Sequence, residues 1–353
     1  MDRKEALTQV FQDTQAFCRE NEALARAVEA ARRDSVLYGP EDRPPLPEEG
    51  QQTIKEGRVE VSRRRSFEAA IEIRKHHPKA RIGVLNFASA TNPGGGVKRG
   101  SSAQEECLCR CSTLYPALDQ KRMWEEFYTP NRAASDPQHT DACIYTPGVV
   151  ICKTDEDFPR RLDPEDFVTV DVITCAAPDL RPSREGVPIR VSQDELFLLL
   201  LRRAQHILHI AAANGVDALV LGAFGCGVFR NDPEMVAIAF LWELEKLRRR
   251  FDLVEFAVYC RDDDTENFRA FQQQKELFLG DDAVSILPPS AEARKRHGKG
   301  YGGQLVRLTP RQLLALRDGK QLAISVMDEY ILFLEGPKEG APQGCTDKDE
   351  KEE

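Results

Sequence analysis

Gln104, Glu105 and Glu106 stand side by side, with seven residues, Val97 to Ala103, separating Gln104 from three consecutive glycines, Gly94, Gly95 and Gly96. Carboxylates suit chemistry in which a leaving oxygen is protonated and a water is activated around an oxocarbenium-like transition state. A glycine triplet removes every Cβ, so the chain can enter positive φ and its N–H groups can approach a diphosphate or a ribose. Taken singly, each feature has a plainer reading. Three glycines also make a surface turn, and Glu-Glu also makes a solvated first helical turn that complements the helix dipole. Adjacent residues do not share a helix face, so the two carboxylates diverge unless they lie in a loop or a first turn. They are therefore not expected to flank one bond as a conventional acid/base pair.

Such a site needs elements to hold it. Arg81–Phe87 is a short apolar run of strand character, and the chain leaves it through Ala88-Ser-Ala-Thr-Asn-Pro into the glycines. The loop thus departs from the carboxyl end of a strand, where open α/β sheets place ligands. A second glycine-bearing loop, Leu221 to Pro233, follows the apolar run Ala218–Leu221 and precedes a helical pattern. Val59–Val61, Ala142–Cys152, Phe167–Cys175 and Val254–Cys260 read as further strands. Ser66–His76, Gln193–Ala213, Pro233–Arg250 and Thr265–Gln274 read as helices. This alternation predicts a three-layer α/β/α domain around a mixed sheet.

Asn86-Phe-Ala-Ser-Ala-Thr-Asn-Pro-Gly-Gly-Gly followed by Gln-Glu-Glu closely resembles the microbial poly(ADP-ribose) glycohydrolase family, macrodomain-like proteins whose signature is GGG, six to eight residues, then QEE. The resemblance continues more loosely from about residue 1 to about residue 280. It implies that Glu106 is the acid/base, that Glu105 bonds a ribose hydroxyl and orients the sugar, and that Gln104 supports the loop. One glutamate would then change roles, helped by the diphosphate positioning a nearby water. It further implies that the second loop, with Gly225, Cys226, Gly227, Val228 and Phe229, is the diphosphate-binding loop, backed by the helix N-terminus after Asp232-Pro. Asn86 and Asn92 are candidates for the distal ribose, although Asn before Pro is also an ordinary turn residue. Phe229 either stacks on the ligand or belongs to the core. Lys98 and Arg99 could steer an anion, the segment from Tyr145 to Val149 could help close the pocket, and Arg230 stands where a small residue would be roomier.

The implied activity is hydrolysis of ribose–ribose O-glycosidic bonds, releasing ADP-ribose. The alternatives are a module that reads ADP-ribose without turnover and a mono-ADP-ribosyl hydrolase. The implied partner is ADP-ribose or its polymer on modified proteins, with no cofactor and no metal.

Composition bounds this reading. The 353 residues carry a formal charge of −9 and a pI near 5.4, which opposes general nucleic-acid binding. No apolar run is expected to span a bilayer, the first residues lack a secretory pattern, and a cytoplasmic location is expected. The ten cysteines, mostly within apolar runs, suit reduced thiols. Cys107, Cys109 and Cys111 alternate, which splays them on a helix and makes a poor metal set. The expected organisation is an N-terminal helical extension (1–55), a macrodomain-like catalytic domain (56–282), a linker (283–303), a small α+β appendage (304–336) and a disordered acidic tail (337–353).

Overall fold

The computed structural model describes residues 2–47, 57–182, 186 and 188–279, together with the strands 283–287, 304–308, 322–326 and 330–334. The chain divides into two compact units, residues 1–275 and 276–353.

The first unit is built on a seven-stranded sheet in the order β1-β4-β5-β3-β6-β7-β2. Its strands are β1 (Val36–Tyr38), β2 (Arg58–Ser62), β3 (Ile82–Ala88), β4 (Cys143–Ile151), β5 (Val168–Ala176), β6 (Ala218–Leu221) and β7 (Leu253–Ala257). The central strands β5, β3, β6, β7 and β2 run parallel, while β4 is antiparallel to both β5 and β1. The carboxyl ends of β3, β5, β6 and β7 therefore emerge along one edge, and four loops meet there.

Period-2 alternation sorts the strand residues between two faces. Val168, Val170 and Val172 of β5 and Val220 of β6 join one core with Phe67 and Ile73 of α3 (Ser66–His76). Phe11 of α1 (Arg3–Glu20) and Leu108 of α4 (Gln104–Cys111) complete it. On the other face Phe256 of β7 meets Phe240 and Phe271 at ring-centroid distances of 6.3 and 5.4 Å. The N-terminal residues thus belong to the same packed unit as the sheet. After α2 (Glu22–Asp34), β1 adds an edge strand that the sequence reading missed.

Between the glycine loop and β4 come α5 (Leu114–Leu118), α6 (Lys121–Met123), a π-helical turn (Trp124–Tyr128) and α7 (Thr129–Ala134). After β5 the chain adds α8 (Gln193–Ala213), then α9 (Pro233–Leu247) after β6 and α10 (Glu266–Leu279) after β7. Ser192 opens α8 with a capping box: its Oγ accepts the Glu195 amide at 3.2 Å, and Glu195 accepts the Ser192 amide at 3.0 Å. By length and composition α8 could cross a bilayer, contrary to the sequence expectation. However, 61% of its apolar window is buried inside the protein, as befits a core helix.

The second unit shows two antiparallel pairs, β8 (Ala283–Leu287) with β9 (Gln304–Leu308) and β10 (Leu322–Val326) with β11 (Tyr330–Leu334). The strand β8 falls where a linker was expected from residue 283, because Val284, Ile286 and Leu287 carry strand-forming apolar character. The remainder of that linker, residues 309–321 of the expected appendage and the acidic tail lie outside the described residues.

Candidate active site

α4 is fixed before any glutamate is considered. Gln104, its first residue, accepts the Phe87 amide at 2.9 Å and donates to the Leu85 carbonyl at 2.8 Å and to Ser66 Oγ at 3.0 Å. One carboxamide thereby bolts the helix to β3 and to the start of α3, which is the supporting role expected of it.

Glu105 and Glu106 both lie in the first turn of α4, and the glycine loop curls around that turn to meet each of them. Glu105 spends both oxygens: Oε1 accepts the Gly94 amide at 3.1 Å and Oε2 the Ser89 amide at 2.7 Å. Glu106 spends one, Oε1 on the Gly96 amide at 2.8 Å, and its buried Oε2 has no partner. Burial pushes the Glu105 carboxyl up, and the neighbouring Glu106 carboxylate adds to the effect. The amides of Ser89 and Gly94 and the side chain of Asn86 oppose it.

These bonds correct the expectation that the glycine amides face a ligand, since the third, Gly95 N–H, is held by the Asn92 carbonyl at 3.0 Å. The triplet is needed for another reason. Gly94 and Gly95 sit at φ +65° and +55°, and a Cβ on Gly95 would stand 2.6 Å from Glu106 Oε1 and 3.0 Å from Glu105 Oε2. The loop is a socket for the two carboxylates.

The second loop keeps its amides available. The N–H groups of Gly225, Gly227, Val228 and Phe229 have no acceptor among the described residues, an arrangement suited to an anion. Gly225, at φ +73°, packs so closely that a Cβ would stand 2.5 Å from Ala177 Cβ, whereas a Cβ on Gly227 would meet open space. The N-terminus of α9 is not part of this anion site, because the Asp232 carboxylate already accepts the amides of Glu234 and Met235 at 2.8 and 3.1 Å. Arg230 adopts φ +62°, so this loop ends on a residue in the left-handed region.

The two loops bound a cleft of about 880 Å³. Asn92, Gly95, Gly96, Gln104, Glu105, Glu106, Gly225, Gly227, Val228 and Phe229 all line it. Three expected residues do not. Gly94 lies beneath the loop against Tyr115, and Cys226 turns its thiol to the Phe224 carbonyl. Asn86 is fully buried in β3, bonded to Thr174 and reaching the back of Glu105, so it braces a carboxylate instead of touching a ribose. Phe229 is partly covered by the Arg181 guanidinium, 5.2 Å from its ring centre. Of the two cations, Arg99 lines the cleft, while Lys98 turns to Asp119 at 3.5 Å. Tyr145 and Gly148 close nothing, since both bond Asp171 beside Arg81 at the opposite end of the sheet.

The structure also adds residues that spacing could not reveal. Asp155, Arg65 and Tyr259 form one part of the wall, with the Arg65 guanidinium 4.2 Å from the Tyr259 ring centre. Burial pushes the Asp155 carboxyl up to about 6 against the pull of Arg65. His139 and Arg181 form another part. A run of apolar residues ending in an aromatic at Tyr259 was the one available signal.

Comparison with known proteins follows the same lines. The family model described as the microbial-type PARG, catalytic domain, matches residues 6–154. Among solved structures, the poly(ADP-ribose) glycohydrolase (PARG) of Thermomonospora curvata is 30% identical, with a TM-score of 0.66 over 76% of this chain and 99% of that one. The same enzyme bound to the inhibitor ADP-HPD aligns over the same shares with a TM-score of 0.64. The PARG of Deinococcus radiodurans in complex with ADP-ribose is 36% identical, with a TM-score of 0.61 over 70% of this chain and 97% of that one. No curated protein matches the chain.

Proposed function

This chain belongs to the family of microbial-type poly(ADP-ribose) glycohydrolases, and from that membership we infer that its cleft hydrolyses the ribose–ribose O-glycosidic bonds of poly(ADP-ribose) and releases ADP-ribose. The observation that carries the chemistry is the asymmetry of the two glutamates. Of the two, Glu106 brings a carboxylate oxygen without a partner to the cleft, whereas both oxygens of Glu105 are engaged by the loop.

A single free carboxylate does both proton transfers in turn. Glu106 gives a proton to the leaving ribose oxygen as the glycosidic bond opens. It then takes a proton from the water that adds to the oxocarbenium carbon. Its Oε1, fixed by the Gly96 amide, keeps Oε2 aimed while the charge changes. The unpaired amides of Gly225, Gly227, Val228 and Phe229 hold the diphosphate. Backbone dipoles suffice for that, so an acidic chain can bind a dianion. A net charge of −9 disfavours capture by the polymer's length, which supports attack at the terminal ADP-ribose of chains carried on modified proteins. All the cysteines among the described residues are free, in keeping with a reducing compartment such as the cytoplasm.

Incubation of the purified chain with poly(ADP-ribose), followed by chromatography of the products, tests this reading. Free ADP-ribose should accumulate with time. Binding of ADP-ribose without release from the polymer would overturn it and leave a reader.

A further inference from the structure

Arg132, on α7, lies 41 residues beyond Thr91 in sequence yet closes on the loop that enters the glycine triplet. Its Nε donates to the Thr91 carbonyl at 2.6 Å, its Nη2 donates to Asn92 Oδ1, and its guanidinium stacks 4.7 Å from the Trp124 ring centre. Trp124 is itself held, donating Nε1–H to Asp119 at 2.8 Å. Asp119 also receives the Tyr115 hydroxyl and pairs with Lys98 at 3.5 Å. A continuous brace thus runs from Lys98, just after the glycines, through Asp119, Trp124 and Arg132 to Asn92, just before them.

The brace also has a chemical consequence. A guanidinium has donors and no acceptor, so it can only face the oxygen of the Asn92 carboxamide. That sets the amide's orientation, with Nδ2 left to donate, one N–H going to Thr91 Oγ1 at 3.1 Å. The second N–H remains for an acceptor in the cleft that Asn92 lines.

Building on the functional reading above, we propose that Arg132 is a positioning residue for substrate: through Asn92 it fixes the cleft wall and makes that wall a hydrogen-bond donor to an oxygen of the bound ADP-ribose unit. It does not touch the reacting atoms, so its loss weakens binding and leaves the chemical step intact.

The test uses the full chain, with ADP-ribose as the calorimetric probe and poly(ADP-ribose) as substrate. Arg132→Met, which keeps the aliphatic stem and removes the guanidinium, should raise the ADP-ribose Kd and the polymer KM by about tenfold while changing kcat less than about twofold. Arg132→Lys should recover part of that affinity. Asn92→Asp keeps the oxygen that Arg132 holds but removes the N–H, and should weaken ADP-ribose to a similar extent. In a double-mutant cycle, Arg132→Met and Asn92→Ala should be strongly non-additive. Unchanged affinity in Arg132→Met, additive losses, or a loss confined to kcat would each overturn the proposal. Failure of the wild-type chain to bind ADP-ribose would instead overturn the functional reading.

Discussion

Gly95 and Glu106 are fitted to each other so closely that the smallest side chain at Gly95 would displace the carboxylate. The missing Cβ would lie 2.6 Å from Glu106 Oε1, and the backbone there is at φ +55°. Gly95→Ala should therefore lower kcat by about 10²-fold, the scale on which a shift of about 1 Å acts on a reacting group. Its thermal unfolding should show only a modest loss. Steady-state kinetics on poly(ADP-ribose) check this, and an unchanged kcat would show that the loop does not place Glu106.

Glu105 is the other half of that socket, and both its oxygens hold the loop. Glu105→Gln retains one acceptor but sets an NH₂ group against the second amide donor, so either Ser89 or Gly94 loses its partner. The expected loss is about 1–3 kcal/mol in denaturant unfolding. Turnover should fall because the loop that carries Glu106 shifts. Wild-type stability in this variant would contradict the structural role.

Asp155 makes a pH-dependent prediction. Its carboxyl is pushed from 3.8 up to about 6, chiefly by burial. Between these values the folded chain keeps a proton that the unfolded chain has released. Stability from this group is accordingly present at low pH and falls as pH rises from about 4 to about 6. Asp155→Asn should flatten that decline and stabilise the fold at pH 7 by about 1–3 kcal/mol. Unfolding measured at several pH values reads the slope, and an unaltered slope would assign it to other groups.

The wall around His139 depends on a buried guanidinium. Arg203 donates to Asp141 at 2.8 Å and to the carbonyls of Ala176, Gln138 and His139 at 2.8, 3.0 and 3.3 Å. Arg203→Met leaves Asp141 buried with only the outer Arg202 as counter-charge. A stability loss of about 3 kcal/mol or more is expected, readable as a lower midpoint in denaturant.

What the sequence carried and what it could not follow from the same residues. The helices Ser66–His76 and Gln193–Ala213 were legible, the first because Pro78 stops it and the second because Ser192 and Glu195 cap it. The socket was legible because its parts lie within thirteen residues of one another. Its inner workings were not, since amides that look free in a glycine triplet are taken by glutamates ten and eleven residues on. Asn86 shows a second limit: its pattern reads as strand, but only the sheet shows that its side chain goes to Thr174 and the back of Glu105. Asp155 and Tyr259 reach the cleft singly from distant segments, and Arg132 reaches its rim only through Asn92; the topology brings them together and no spacing announces them.

The most direct test of the account is ADP-ribose release from poly(ADP-ribose) by the wild-type chain and by Glu106→Gln, with ADP-ribose binding measured calorimetrically on both. Gln keeps an acceptor for the Gly96 amide but has no proton to give and take. Release should drop by at least about 10²-fold, while the ADP-ribose Kd stays within about threefold. Undiminished release, or a loss of binding that accounts for the whole loss of release, would contradict the assignment of Glu106 as the acid/base.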